Sequence, residues 1–191
     1  METIKYWDER LFLYLNGMHQ EWLDPIMGGL TGKLIWIPLY AFFVYLIIKH
    51  FKKGSIWILA GIGLAILMAD QTASGFMKPF FERLRPCHDP RWEGLIYNHG
   101  GCGGMYGFVS SHAANTFALA IYLNLLFRGR IKGFGWLFLW AAVVSYTRIY
   151  LGVHYPLDII VGALVGLLSG WVSWFLARKA KRTYLQKLNA R

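Results

Sequence analysis

Charged residues are scarce in this sequence, and there are only two cysteines. Charged side chains make up 16% of the 191 residues, against about 25% in an average globular protein. Hydrophobic residues reach 56%, aromatic residues 17%, and the mean hydropathy is +0.37. This apolar content excludes a disordered chain, and two cysteines are too few for a disulfide scaffold. The composition indicates a membrane protein.

Acids are also few relative to bases, ten against 20, which gives a formal net charge of +10. The N-terminus mixes acids with apolar residues, so it does not resemble a signal peptide, which has a basic start and then an apolar run. No repeat or linker divides the chain, and its length predicts a single domain over residues 1–191.

Five apolar segments are candidates for membrane-spanning helices, each of which needs about 20 mostly apolar residues. They are 26–48, 56–77, 112–127 (with its polar start at Ser110), 134–152 and 156–177. These segments predict an all-α, polytopic membrane helix bundle with about five transmembrane helices. The intervening segment 79–109 is too hydrophilic to cross and too long to be an idle turn.

Residues 3–18 predict an N-terminal helix that lies in the membrane interface. Apolar side chains share one helical stripe there: Ile4, Trp7, Leu11, Leu15 and Met18. A short sixth span is the alternative, and three acids and two bases among the first ten residues argue against it.

Basic residues are concentrated in two connections and the tail, which share one side of the membrane in a five-span chain. The excess of Lys and Arg makes that side cytoplasmic, so the C-terminus is inside while the N-terminus and 79–109 are outside. The basicity is therefore a topology signal and does not indicate nucleic-acid binding. The twelve bases are Lys49, Lys52, Lys53, Arg128, Arg130, Lys132, Arg178, Lys179, Lys181, Arg182, Lys187 and Arg191.

Three polar clusters fall on the predicted outer face, at 78–86, 109–112 and 147–158. Ionisable groups at a membrane boundary are costly and usually functional. Lys78, Arg85 and Arg148 supply three cations suited to phosphate oxygens. Together they indicate an anion site.

The same clusters contain a candidate nucleophile. Asp158 follows His154 by four residues and can hold one imidazole nitrogen, which leaves the other nitrogen free to attack. His112 can protonate a departing oxygen. Ser110 and Ser111 can cap the third span and leave its first N–H groups for an oxyanion.

Each feature alone has a structural explanation, since terminal cations often snorkel and Ser-Ser often caps a helix. Their combination resembles the type-2 phosphatidic acid phosphatase superfamily, whose motifs read K-x6-R-P, P-S-G-H and S-R-x5-H-x3-D. The first motif is complete, the second reads V-S-S-H, and Thr replaces Ser in the third. The matching positions are Lys78, Arg85, Pro86, Ser110, His112, Arg148, His154 and Asp158, and the departures are Val109, Ser111 and Thr147.

The resemblance implies a membrane lipid phosphatase of a bacterial inner membrane, active at the outer face without metal or cofactor. His154 would form a phosphohistidine, oriented by Asp158, and His112 would protonate the leaving group and then activate water. The phosphoryl oxygens would be bound by Lys78, Arg85, Ser110, Ser111 and Arg148.

The substrate implied first is undecaprenyl diphosphate, with lipid A and phosphatidylglycerol phosphate as alternatives. A non-catalytic lipid-phosphate binder or transporter is the alternative from a different class. Such a protein would need neither the second histidine, His112, nor the acid that orients His154. The oligomeric state and the role of Lys33 are left open.

Four further patterns carry weaker predictions. Cys87 and Cys102 lie in the outer loop, a disulfide-permissive setting in a periplasm, and are predicted to pair. The run 99–104 predicts a flexible lid or turn. Asp70 shares a helical face with Ser74 and Lys78, either as a partner of a site cation or as a packing hydrogen bonder. A small-residue stripe predicts close helix packing within the bundle in preference to dimerisation: Gly162, Gly166 and Gly170.

Overall fold

The chain folds as a bundle of α-helices in the computed structural model, which describes residues 2–189 and so leaves out Arg191 of the basic tail. Within that range there is no strand, only an isolated bridge between Leu84 and Tyr106. The helices are α1 (Glu2–Asn16), α2 (Asp24–Thr31), α3 (Ile37–Phe51), α4 (Ser55–Asp70), α5 (Lys78–Phe81), α6 (Ser111–Phe127), α7 (Trp136–Tyr150) and α8 (Pro156–Asn189).

The π-helical stretch Gln71–Met77 joins α4 directly to α5, so the second predicted span is one continuous helical run. The prediction of a single helix over 26–48 is wrong at its start. There α2 ends at Thr31 and Gly32 is extended, with φ −69° and ψ 146°. Three glycines between 28 and 32 weaken the helix at that point.

Two helical stretches in the described range are long and apolar enough to cross a membrane, Leu34–Phe81 and Pro156–Tyr184. The first stretch contains a reversal at Lys52, whose φ is +46°, and α3 and α4 pack against each other across it. The structure therefore has a helix for each of the five predicted spans, and the number of spans remains a prediction.

The glycine stripe of α8 faces α6 inside the bundle. A Cβ at Gly162 would lie 2.6 Å from the Ser110 carbonyl oxygen, and one at Gly166 would lie 2.2 Å from the Ala114 carbonyl oxygen. At Gly170 the corresponding distance to the Ala118 carbonyl oxygen is 2.4 Å. Only hydrogen fits at these three positions, so the stripe brings the backbones of α6 and α8 into close contact.

The basic connections and the tail meet at one end of the bundle, around Phe51. The Arg130 guanidinium lies 5.1 Å and the Lys181 ammonium 4.9 Å from the centre of the Phe51 ring. The three polar clusters lie near the opposite ends of these helices. This separation is the one that the distribution of charge in the sequence predicts.

Helix α1 packs against α7 and α8 through a face that is largely polar. Its buried residues are Asp8, Phe12 and Asn16, spaced four apart. The predicted apolar stripe points outward, with four of its members between 46% and 65% exposed: Ile4, Trp7, Leu11 and Met18. A helix that buries polar groups and exposes apolar ones suits a lipid-facing position.

Candidate active site

The outer loop, the start of α6 and the start of α8 converge on His154. Gly107 of the loop lies so close that a Cβ there would be 3.0 Å from an Asp158 oxygen and 3.5 Å from Nδ1 of His154. The Ser110 N–H donates to the Asp158 carbonyl oxygen at 3.0 Å. Segments more than 40 residues apart in sequence thus form one compact site.

His154 and Asp158 form the hydrogen-bonded pair that the spacing predicts. Nδ1 of His154 lies 3.2 Å from Oδ2 of Asp158, and the two side chains are 2% and 0% exposed. Because a carboxylate only accepts, Nδ1 carries the proton. Nη1 of Arg85 lies 3.4 Å from Nε2, and a guanidinium only donates. Nε2 therefore keeps its lone pair.

Burial also keeps the His154 ring neutral. The residue lies in the short connection between α7 and α8, and burial lowers its pKa to about 4, with Asp158 acting in the opposite direction. A neutral imidazole with its proton on Nδ1 is the form that attacks phosphorus through Nε2. The arrangement is that of a nucleophile oriented by an acid.

The three predicted cations surround this nucleophile without forming an ion pair among the described residues. The Arg85 side chain donates weakly to the Val153 carbonyl oxygen, at 3.5 Å, and its Nε is buried and unpartnered. Nη1 of Arg148 donates to Oγ1 of Thr31 at 2.7 Å, and its Nε is also unpartnered. Buried donors without acceptors are costly, so this site is built for an anion.

The hydroxyl groups of Ser110 and Ser111 do not cap α6, contrary to the sequence prediction. Ser110 occupies the N-cap position, but its fully buried hydroxyl makes no hydrogen bond. The Ser111 hydroxyl lies 2.7 Å from Oγ of Ser74 and accepts from Nζ of Lys78 at 3.0 Å. Ser110 is thus left free for a ligand, whereas Ser111 ties Lys78 to α6.

His112 is half-buried on the first turn of α6. The charges of Arg148, Lys33 and Lys78 act on its ring. A bound phosphate would offset these cations and favour a proton on His112. Lys33, which the sequence leaves without a role, therefore belongs to the electrostatic surroundings of this histidine.

Asp70 faces α6 as well, where its carboxylate accepts from Nδ2 of Asn115 at 3.4 Å. The face predicted for Asp70, Ser74 and Lys78 is therefore the one that packs on α6. Of the two interpretations of Asp70, this contact supports the packing hydrogen bond.

The outer loop is closed beside the site by a disulfide between Cys87 and Cys102, the pair predicted from the sequence. The Arg85 N–H donates to the Met105 carbonyl oxygen and the Gly107 N–H to that of Arg83, at 3.0 and 2.8 Å. The glycine-rich run turns with positive φ at positions 100, 101 and 103. Together these contacts hold the backbone next to Arg85.

Two charged residues of the site were not predicted from the sequence, Arg83 and Asp8. Nη1 of Arg83 donates to Oδ1 of Asp158 at 2.9 Å, and its Nη2 donates to Oδ2 of Asp8 at 2.6 Å. Arg83 lies within the first motif, where it reads as a spacer, and Asp8 reads as part of a solvated face. The one signal that could have identified Asp8 is its position, since an acid on the buried side of a membrane-associated helix is costly and usually functional.

Comparison with known proteins identifies the family of this chain. The PAP2 superfamily profile matches residues 54–182, about two thirds of the chain. The chain belongs to the PAP2 superfamily. It is therefore a membrane phosphatase, a hydrolase built on an all-helical bundle. Its relatives include proteins named as lipid phosphatases.

Three relatives of this PAP2 chain illustrate the range of named activities. A lipid A 4'-phosphatase of Bacteroides thetaiotaomicron is 42% identical, with 90% of this chain and 77% of the relative covered. A lipid A 4'-phosphatase of Porphyromonas gingivalis is 38% identical, covering 89% and 72%. An undecaprenyl-diphosphatase of Sulfolobus acidocaldarius is 30% identical, covering 86% and 74%.

Two crystal structures share the PAP2 fold. LpxE of Aquifex aeolicus aligns with a TM-score of 0.60 and 27% identity, covering 86% of this chain and 92% of that one. A PAP2-type phosphatidylglycerolphosphate phosphatase of Bacillus subtilis aligns with a TM-score of 0.70 and 20% identity, covering 94% and 88%. The second likeness concerns the fold alone.

Proposed function

We propose that this chain removes a phosphate from lipid A through a phosphohistidine on His154. The observation that carries the substrate is the 42% and 38% identity with two proteins named lipid A 4'-phosphatase, over 90% and 89% of the chain. Undecaprenyl diphosphate, the first substrate implied by the sequence, has weaker support from a 30% identical relative. It becomes the second candidate.

The first half-reaction forms a bond between Nε2 of His154 and phosphorus. The bond between phosphorus and the lipid oxygen breaks, and His112 gives its proton to that oxygen. Asp158 stabilises the charge that develops on the imidazole, because its carboxylate lies 3.2 Å from Nδ1. The dephosphorylated lipid then leaves.

The second half-reaction returns the enzyme to its starting state. His112, now neutral, takes a proton from water, whose oxygen attacks phosphorus. The bond between phosphorus and Nε2 breaks, and inorganic phosphate is released. His154 is again neutral and His112 again carries a proton.

The phosphoryl oxygens are bound by Lys78, Arg85, Arg148 and the free hydroxyl of Ser110. Ser111 contributes its backbone N–H, since its hydroxyl already contacts Ser74 and Lys78. We expect no metal requirement, because three fixed cations supply the neutralisation that Mg²⁺ gives in other phosphoryl-transfer enzymes.

We expect the enzyme to lie in a bacterial inner membrane with its active site outside and its C-terminus in the cytoplasm. The bases gathered around Phe51 support this orientation through the excess of Lys and Arg at that end. We expect the lipid to enter laterally from the bilayer, since the proposed catalytic groups lie at the ends of helices that are predicted to span the membrane.

Phosphate release by purified protein from lipid A, undecaprenyl diphosphate and phosphatidylglycerol phosphate tests the proposal. We expect the highest kcat/KM with lipid A, and no turnover by His154→Ala. His50→Ala, an exposed histidine on α3, is the matched control and should retain wild-type activity.

Any different outcome contradicts a stated part of the proposal. A higher kcat/KM with undecaprenyl diphosphate would overturn the substrate, and wild-type turnover by His154→Ala would overturn the nucleophile. Binding of all three lipids without release of phosphate would favour a lipid-phosphate binder or transporter.

A further inference from the structure

A continuous chain of charged contacts runs from α1 to the proposed nucleophile. Asp8 accepts from Arg83 at 2.6 Å, Arg83 donates to Asp158 at 2.9 Å, and Asp158 lies 3.2 Å from Nδ1 of His154. The Asp8 and Asp158 side chains are 5% and 0% exposed, and Arg83 is 21% exposed. This series of charged contacts is thus largely shielded from water.

Each oxygen of Asp158 has its own donor. Oδ2 accepts from Nδ1 of His154 and from the Tyr155 N–H, which is 3.0 Å away, whereas Oδ1 accepts from Arg83. Without Arg83, Oδ1 would be a fully buried acceptor without a partner, and the carboxylate could rotate away from the imidazole. Arg83 therefore fixes the orientation of the acid through a charge-assisted hydrogen bond.

Asp8 holds Arg83 in that position. A guanidinium is a planar fork, so fixing Nη2 on Asp8 also fixes the direction of Nη1. The ring of Tyr155 lies beneath the guanidinium carbon at 4.0 Å and limits movement on one face. Burial raises the pKa of the Asp8 carboxyl, and the hydrogen bond from Arg83 opposes that rise. The hydrogen bond from Arg83 thus favours the charged form of Asp8.

The same helix fixes both ends of the segment that carries His154. The Leu157 N–H, in the first turn of α8, donates to Oδ1 of Asp8 at 2.8 Å. Nδ2 of Asn16 donates to the carbonyl oxygens of Ile149 and Tyr150 at the end of α7, at 3.2 and 2.9 Å. The connection from α7 to α8 is thus held at its start by Asn16 and at its end by Asp8.

We propose that Asp8 and Arg83 are positioning residues for catalysis, through which α1 holds the Asp158–His154 pair in its attacking geometry. The proposal rests on the proposed role of His154 as nucleophile. It gives a catalytic purpose to a helix that lies outside the region matched by the PAP2 profile, which begins at residue 54.

The test uses four variants of the full-length enzyme: Asp8→Asn, Arg83→Gln, Arg83→Lys and the double variant Asp8→Asn/Arg83→Gln. The substrate is lipid A in mixed micelles, or whichever of the three lipids the wild type hydrolyses fastest. The rates are expressed per folded molecule. Matched controls are Glu9→Gln and Arg91→Gln, a neighbouring ion pair at 2.8 Å that also joins α1 to the outer loop and in which Arg91 is 50% exposed.

We expect kcat to fall about tenfold in Asp8→Asn and up to about a hundredfold in Arg83→Gln, the scale of a small misplacement of a reacting group. KM should stay within about threefold, because neither residue touches the phosphate. Arg83→Lys should recover part of the loss. The double variant should be no slower than Arg83→Gln, since the two residues act as one unit.

Wild-type kcat in folded Asp8→Asn overturns the proposal, as do losses that multiply in the double variant or that appear in KM alone. If Arg83→Gln does not fold, Arg83→Lys and Asp8→Asn carry the test. Failure of the proposed function is distinguishable, because it would appear as an inactive wild type or an active His154→Ala protein.

Discussion

At the residue scale, His154 is fixed from two sides by groups that can each play only one hydrogen-bonding role. Asp158 accepts at Nδ1, and Arg85 presents a donor at Nε2. This leaves one tautomer. The i, i+4 spacing of His154 and Asp158 made the first contact predictable, because both residues lie where a single helix begins.

We expect the acid limb of kcat/KM to lie near pH 4. Burial lowers the pKa of His154 to about 4, so the nucleophile loses its lone pair only when the pH falls through that value. Above it, the imidazole is neutral and competent. The pH profile should be measured with the ionisation of the substrate phosphate determined by ³¹P NMR and divided out. A residual limb between pH 6 and 7 would show that His154 titrates as an exposed histidine does.

Replacing Ser110 with Ala should have opposite effects on activity and stability. The hydroxyl is buried without a partner, so removing it should raise the free energy of unfolding by about 1 kcal/mol. Loss of a donor to the phosphoryl group should lower kcat about a hundredfold. Thermal unfolding in detergent and phosphate release measure the two effects.

Ser145→Ala is the matched control, because Ser145 has an equally buried hydroxyl without a partner. It should share the gain in stability and keep wild-type kcat. An unchanged kcat in Ser110→Ala would mean that the free hydroxyl does not serve the phosphate.

The residues missed from the sequence are those whose roles depend on tertiary docking. Asp8 and Arg83 are 75 residues apart, and nothing local distinguishes Asp8 from its neighbour Glu9, which pairs with the exposed Arg91. The direction of the Ser110 hydroxyl was equally inaccessible, since a serine before a helix ordinarily caps it. Sequence spacing identified contacts between residues close in sequence, such as His154 and Asp158. It missed contacts that form only when α1 docks on the bundle, such as that between Asp8 and Arg83.

At the scale of helices, the contact between α6 and α8 has the least tolerance for added volume. A methyl group at Gly166 would overlap the carbonyl of Ala114, whereas one at Gly63 on α4 would meet nothing within 4 Å. The small-residue spacing predicted a close contact, but the identity of the partner helix became clear only in the folded chain.

We expect Gly166→Ala to lower the free energy of unfolding by about 1–3 kcal/mol, because α6 and α8 must separate to admit the methyl group. Gly63→Ala should raise it by about 0.5–1 kcal/mol, since alanine is the better helix former. Thermal unfolding of both variants in the same detergent provides the measurement. Equal shifts would indicate that close packing does not stabilise this pair.

At the scale of the whole molecule, charge divides the bundle into two ends. Bases meet around Phe51 at one end, and Arg85, one of the proposed phosphate-binding cations, contacts His154 at the other. The five helical runs and this division were predictable from hydropathy and charge, because both are properties of segments and not of individual contacts. The break between α2 and α3 was missed, because the apolar run continues through it, although the glycines that lower helix propensity there are visible in the sequence.

Cysteine labelling in intact cells tests the orientation. Leu95→Cys, at an outer-loop position where the native side chain is 69% exposed, should react with an impermeant maleimide. Lys53→Cys, at an exposed position of the basic end, should react only after permeabilisation. The reverse pattern would place the active site in the cytoplasm.

The π-helical stretch Gln71–Met77 bears on how this chain tolerates insertions and deletions. It sets the angle at which Lys78 meets Ser111, and one residue corresponds to about 100° of rotation in an α-helix. A deletion of one residue there would turn the lysine away from Ser111, while many substitutions would leave the angle intact. The number of residues between Asp70 and Lys78 is therefore under stronger constraint than their identity.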